Sequence, residues 1–106
     1  DDPRSFPTPE SLERLATSAL GQVRRGLDAL TRADVALARE VVAADRGVDR
    51  AYREVVRNLK DAIVREPDRI DSWLRLINTA RNLERIADHA GRIAEVVAYL
   101  RGPRPA

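Results

Sequence analysis

Cysteine and methionine are both absent from the 106 residues, and histidine occurs once. Without cysteine there is no disulfide framework and no thiolate metal site, a pattern that fits a reducing compartment. The missing Met at position 1 leads to the expectation that the sequence is processed, trimmed or a piece of a longer chain. No apolar run approaches the roughly 20 residues of a membrane-spanning helix, so direct membrane insertion is not expected. The N-terminus lacks the apolar stretch of a signal peptide. Aromatic residues make up only 4%. Ala, Leu, Val and Arg dominate instead, which favours helix over sheet. Serine and threonine are few and His89 has no second histidine, so no nucleophile–base pairing is visible and no enzymatic activity is expected. The formal charge is +2, with acidic residues interspersed among the 19 basic ones. No basic block interleaved with aromatics appears, so no nucleic-acid partner is expected.

What remains is helical periodicity. Residues 1–9, DDPRSFPTP, hold three prolines and read as a flexible tail or linker. A first helix is predicted from about Pro9 to Leu30, with Thr8 as N-cap. Its apolar stripe is Leu12, Leu15, Ala16, Ala19, Leu20, Val23, Leu27 and Leu30. TRAD is a turn, with Asp34 capping a second helix from Val35 to Arg65. Pro67 disfavours helical geometry in Glu66 and ends it. Asp68 is the expected cap of a third helix running to about Leu100, where Gly102 and Pro103 stop it. Short connections between three amphipathic helices give an all-α, antiparallel up-down-up three-helix bundle over residues 10–102, with 103–106 as a C-terminal tail. Trp73 and Tyr52 read as core residues. Val42, Val56 and Ile77 lie at or beyond the edges of the apolar arcs, and a second copy of the chain is expected to cover such surface as a homodimer or larger homo-oligomer.

Two pairs of carboxylates break the amphipathic pattern. Asp45 and Asp49 stand one turn apart on the second helix, and Glu84 and Asp88 one turn apart on the third. On a helical wheel Asp45 lies inside the apolar arc of its helix and Asp49 at its edge, while Glu84 lies at the edge of the next helix's arc and Asp88 just past it, both pairs offset in the same rotational sense. Both cross-helix pairs are centred on the same point, between Glu66 and Pro67. Folding the hairpin there brings Asp45 level with Asp88 and Asp49 level with Glu84, roughly 25–30 Å from the turn. Glu95 lies further along the same edge. Carboxylates brought together need compensation, and two kinds are open. One is a hard or borderline cation held by oxygen ligands. The other is arginine, with Arg46, Arg50, Arg53, Arg81, Arg85 and Arg92 all near in sequence. Gly47 and Gly91, each costing up to ~1 kcal/mol in a helix interior, hint at a special site. His89 points away from the carboxylates. Ile86 stands where a Glu-x-x-His di-iron motif would need another residue.

The stretch ARNLERIADHAGRIAEVVAYLRG, residues 80–102, closely resembles the C-terminal signature of the PhoU family of bacterial phosphate-signalling regulators. Arg81, Leu83, Glu84, Arg85, Ile86, Ala87, Asp88, His89, Ala90, Ile93, Ala94 and Glu95 carry the resemblance. DVALAREVVAADRGVDRAYREV, residues 34–55, supports it. The resemblance implies a repeat of three helices, of which family members carry two in tandem. It implies an iron or zinc site on a Glu/Asp-x-x-x-Asp motif, matched here by Asp45 with Asp49 and by Glu84 with Asp88. It also implies a cytoplasmic, non-enzymatic adaptor, with a phosphate transporter ATPase and a sensor kinase as partners. Gly91 and Arg92 depart from the family's usual Thr-Asn, and Arg92 brings a cation within one turn of Asp88. The rival expectation is a helical dimerisation or scaffold module, or a PhoU-like domain of a transporter, in which the carboxylates form structural ion pairs.

Overall fold

Asp34 sets the start of the longest uninterrupted match between sequence and structure. In the computed structural model, which describes residues 8–101, its side chain accepts the Leu37 backbone N–H at 3.0 Å. From that cap α2 runs from Val35 to Arg65. It follows α1 (Glu10–Arg32) and precedes α3 (Ile70–Arg101). Each helix packs against the other two, and the described residues contain no strand. The all-α three-helix bundle is therefore the observed fold. The antiparallel sense of α1 and α2 is visible in cross-helix bonds. Arg14 of α1 reaches Glu54 of α2, while Gln22, two turns on, reaches back to Val41.

The turns have plain physical causes. α1 ends on Ala33, whose φ of 51° is left-handed, and the Asp34 N–H bonds back to the Ala29 carbonyl at 2.9 Å. This reversal satisfies a carbonyl the helix end leaves open. At the other turn Pro67 holds Glu66 out of helical geometry, at φ −135° and ψ 69°. The Glu66 carbonyl then accepts the Arg69 N–H at 3.1 Å and the Trp73 indole N–H at 3.0 Å. Two expected caps are not the observed ones. Pro9, with an extended ψ of 140°, is the N-cap of α1, with no side-chain hydrogen bond. Its carbonyl accepts from Leu12 and Glu13, so the helix starts one residue later than predicted. Asp68 lies inside a 3-10 turn, Pro67–Arg69, that leads straight into α3. That turn is closed by the Glu66 carbonyl, not by a carboxylate cap. The stop at Gly102 and Pro103 and most of both tails lie outside the described residues.

The core has two parts. Near the α2–α3 turn it holds large side chains, among them Leu12, Leu15, Val55, Leu59 and Trp73. At the far end it is built from Ala29, Ala38, Val41, Ala94 and Val97. Gln22, fully buried, falls between the two. Its side-chain N–H donates to the Val41 carbonyl at 2.8 Å, and Arg25 donates to its Oε1 at 2.8 Å. The expected stripe of α1 is therefore only half correct. Leu12, Leu15 and Ala19 are buried, whereas Leu20, Leu27 and Leu30 are 58%, 49% and 51% exposed. Gly26 and Ala29 take the inward positions because α1 approaches α3 too closely for leucine. A Cβ built on Gly26 would stand 3.2 Å from the Ala90 carbonyl oxygen. Val42, Val56 and Ile77 are half-buried, with Val42 and Ile77 packed against the core, so the unpartnered apolar surface lies elsewhere.

Two glycines of α1 should respond oppositely to substitution. Gly21 has open space beyond its Cα, so Gly21→Ala should stabilise the bundle by up to about 1 kcal/mol through helix propensity. Gly26→Val must push α1 off the α3 backbone and should destabilise it by about 2 kcal/mol. Urea denaturation midpoints of the two variants check both signs.

Candidate functional site

The site forms where the two parts of the core meet. α2 and α3 lie antiparallel, and their registers bring Asp45 against Asp88 and Asp49 against Glu84. These are the two pairs the hairpin geometry places together, and all four carboxyl groups interact as one cluster. Glu95 is close enough to act on Asp45 as well. Gly91 is buried and leaves room for Asp45. A Cβ there would lie 3.7 Å from Asp45 Oδ1.

Asp45 carries the sharpest strain. Its Oδ1 is enclosed and has no hydrogen-bond partner among the described residues. An oxygen in that condition costs about 1–3 kcal/mol, and more when charged. Burial first, then the charges of Asp88, Asp49 and Glu95, hold the Asp45 carboxyl above its ordinary value. Burial also dominates at Glu84, followed by its hydrogen bond with Asp49 and the charges of Asp88, Asp49 and Asp45. Together they push Glu84 up to about 7. Asp49 moves the other way, held down by the Arg53 hydrogen bond and then by the one from Glu84. In this pair Glu84 keeps the proton and donates it to an ionised Asp49.

Arginine compensates little of this charge. Arg53 pairs with Asp49 one turn away on α2. Among the described residues no ion pair joins Arg46, Arg50, Arg81, Arg85 or Arg92 to any of the four carboxylates. Arg81, Arg85 and Arg92 instead line an open depression on the outer side of α3 with Glu84, Asp88 and His89. His89 is exposed. Tyr52 is half-buried against the core, and Trp73 is buried beside the turn.

The donor set is all oxygen, which suits a hard or borderline cation. The partnerless Asp45 Oδ1 fits such an ion. The carboxylates nevertheless stand as two facing pairs. Among the described residues no three acidic or histidine side chains are grouped as ligands of one ion. Gln22 supports the site and was not foreseen. It fixes the α2 backbone at Val41, one turn before Asp45. Its spacing after Leu15 and Ala19, both buried, is the signal that marks it as an inward residue.

The shifted carboxyls set the pH dependence of the metal-free fold. Glu84 binds its proton more tightly folded than unfolded, so it has no effect well below its ordinary value of 4.5 and destabilises the fold as pH rises through about 7. Asp45 acts in the same direction. In the presence of a chelator, the urea midpoint should therefore fall as pH is raised across that range, and Glu84→Gln should flatten the fall. A Glu84→Gln variant with the unmodified slope would contradict the assignment of the proton.

Residues 12–97 match the family model described as the PhoU domain. Over 100 residues the chain is 36% identical to the phosphate-specific transport system accessory protein PhoU homolog of Pseudomonas aeruginosa, covering 94% of this chain and 40% of that protein. The homolog of the same name in Caulobacter vibrioides is 37% identical over 98 residues, or 92% of this chain and 42% of its own length. The accessory protein PhoU of Escherichia coli is 33% identical over 89 residues, 84% of this chain and 37% of that protein. The chain thus spans about two fifths of the length of the curated relatives it matches. No solved structure matches.

Proposed function

The chain belongs to the PhoU family, and on that premise we propose that it regulates phosphate uptake and phosphate-starvation signalling as a non-enzymatic adaptor. Its partners in this reading are the ATPase of a phosphate ABC transporter and a two-component sensor kinase, in the cytoplasm. The relatives' names, accessory proteins of a phosphate-specific transport system, support the transporter side. The kinase side follows from the family's role alone.

The site enters this reading as a metal centre, with Asp45, Asp49, Glu84 and Asp88 as ligands of iron or zinc. The observation that carries it is the enclosed, partnerless Oδ1 of Asp45. A cation supplies the positive charge that this oxygen lacks and neutralises the repulsion between the pairs. To release Asp49, Arg53 swings away into solvent, a small cost for a pair this exposed. The Arg53–Asp49 pair is also the one observation that favours the rival, a scaffold module with structural ion pairs and no metal.

Asp45→Asn separates the two readings. With Asp45 as ligand, the variant stays folded and its metal affinity drops about tenfold or more, read by elemental analysis after dialysis against iron or zinc. With Asp45 as no more than a buried charge, removing it leaves metal content unchanged and the fold as stable or more so. Binding of the chain to the purified transporter ATPase and to the kinase tests the adaptor role, and failure to bind either ends it.

A further inference from the structure

The outer face of the α2–α3 hairpin carries its charges in rows. On α2, Arg39, Arg46, Arg50 and Arg53 are exposed, and their spacing sets them in one stripe along the helix. On α3, Arg81, Arg85 and Arg92 are exposed and make a second stripe. The site carboxylates lie between the two. Asp45 and Asp49 border the α2 stripe, where Arg53 pairs with Asp49. Glu84 and Asp88 border the α3 stripe and share one open depression with its three arginines. The register that sets Asp49 level with Glu84 also sets Arg53 level with Arg81, and Arg39 within a turn of the level of Arg92. Across its width the face therefore reads arginine, carboxylate, arginine, over a length of roughly 20 Å.

Folding alone does not account for this arrangement. Arg46 with Arg50, and Arg81 with Arg85, stand one turn apart, a like-charge spacing that destabilises a helix. Glu54, the acid one turn beyond Arg50, is engaged by Arg14 from α1. Of the seven arginines, only Arg53 has an ion pair among the described residues.

We propose that this face docks an amphipathic helix of a partner protein, with acidic residues along both flanks and neutral or basic residues along the middle. Packed helices stand 8–10 Å apart, so one helix laid along the α2–α3 groove reaches both arginine rows. Guanidinium groups suit carboxylates because they bind them in bidentate fashion. The central carboxylates decide the class of partner. A nucleic acid or an anionic membrane is negative throughout and meets the ionised Asp49 directly. A protein segment can keep acid out of that line and offer a cation there instead. Such patterning gives specificity as well as attraction. The docking stands without a metal.

Fluorescence anisotropy with the full chain, in the presence of a chelator, tests the proposal. The probe is a synthetic helical peptide of about 20 residues, long enough to span both rows, with Glu on its flanks and Lys along its middle. It should bind about tenfold or more tighter than a peptide of the same composition in shuffled order. Arg50→Glu and Arg85→Glu should each weaken it about tenfold, and added salt should weaken it further. Arg24→Glu, at an exposed arginine of α1 away from the face, should leave it unchanged. Circular dichroism melts confirm that each variant is folded. Failure of the patterned peptide to bind overturns the proposal, as does binding that survives both substitutions. Equal or tighter binding of the shuffled peptide, of a single-stranded oligonucleotide or of phosphatidylglycerol vesicles also overturns it, since the face would then be a surface for anions in general.

Discussion

The antiparallel register of α2 on α3 is the constraint on which the site depends. Pro67 fixes where the hairpin folds, and the buried side chains of both helices forbid sliding. A slip of one residue would take Val48, Val55, Ala87 and Ala94 out of the core. The same register holds Asp45 against Asp88 and Asp49 against Glu84, where burial and neighbouring charge raise the Asp45 and Glu84 carboxyls. Apolar packing along the hairpin thus outweighs a local electrostatic cost that falls on Asp45 and Glu84. The small residues around the cluster have a common purpose. Gly26 and Ala90 let α1 close on α3, and Asp45 packs over Gly91.

Much of this was legible in the sequence. Asp34 and Pro67 are strong punctuation, and they bound α2 at Val35 and Arg65 as observed. The carboxylate pairs could be matched because helix rise and period are geometric constants, independent of context. α1 was harder. A hydrophobic stripe ranks residues by apolar size, so it favours Leu20, Leu27 and Leu30. The bundle instead selects by fit, and where two backbones nearly touch it takes Gly26, Ala29 and a hydrogen-bonded Gln22. The sequence also left both arginine and metal open as answers to the acidic cluster. The structure narrows this to Arg53 on Asp49, because Arg46, Arg50, Arg81, Arg85 and Arg92 make no ion pair with the cluster among the described residues. Which carboxyl holds a proton was not legible at all, since it depends on burial differences that no spacing rule reports.

The division of the core has a consequence for the way the molecule breathes. Large side chains such as Leu59 and Trp73 clamp the turn end, while the opposite end is held by alanine and valine. Opening free energies therefore decline from the clamped end to the other. Backbone amides of Ala38, Ala94 and Val97 are therefore expected to exchange with solvent sooner than those around Leu59. The acidic cluster sits where the firm segment gives way to the soft one.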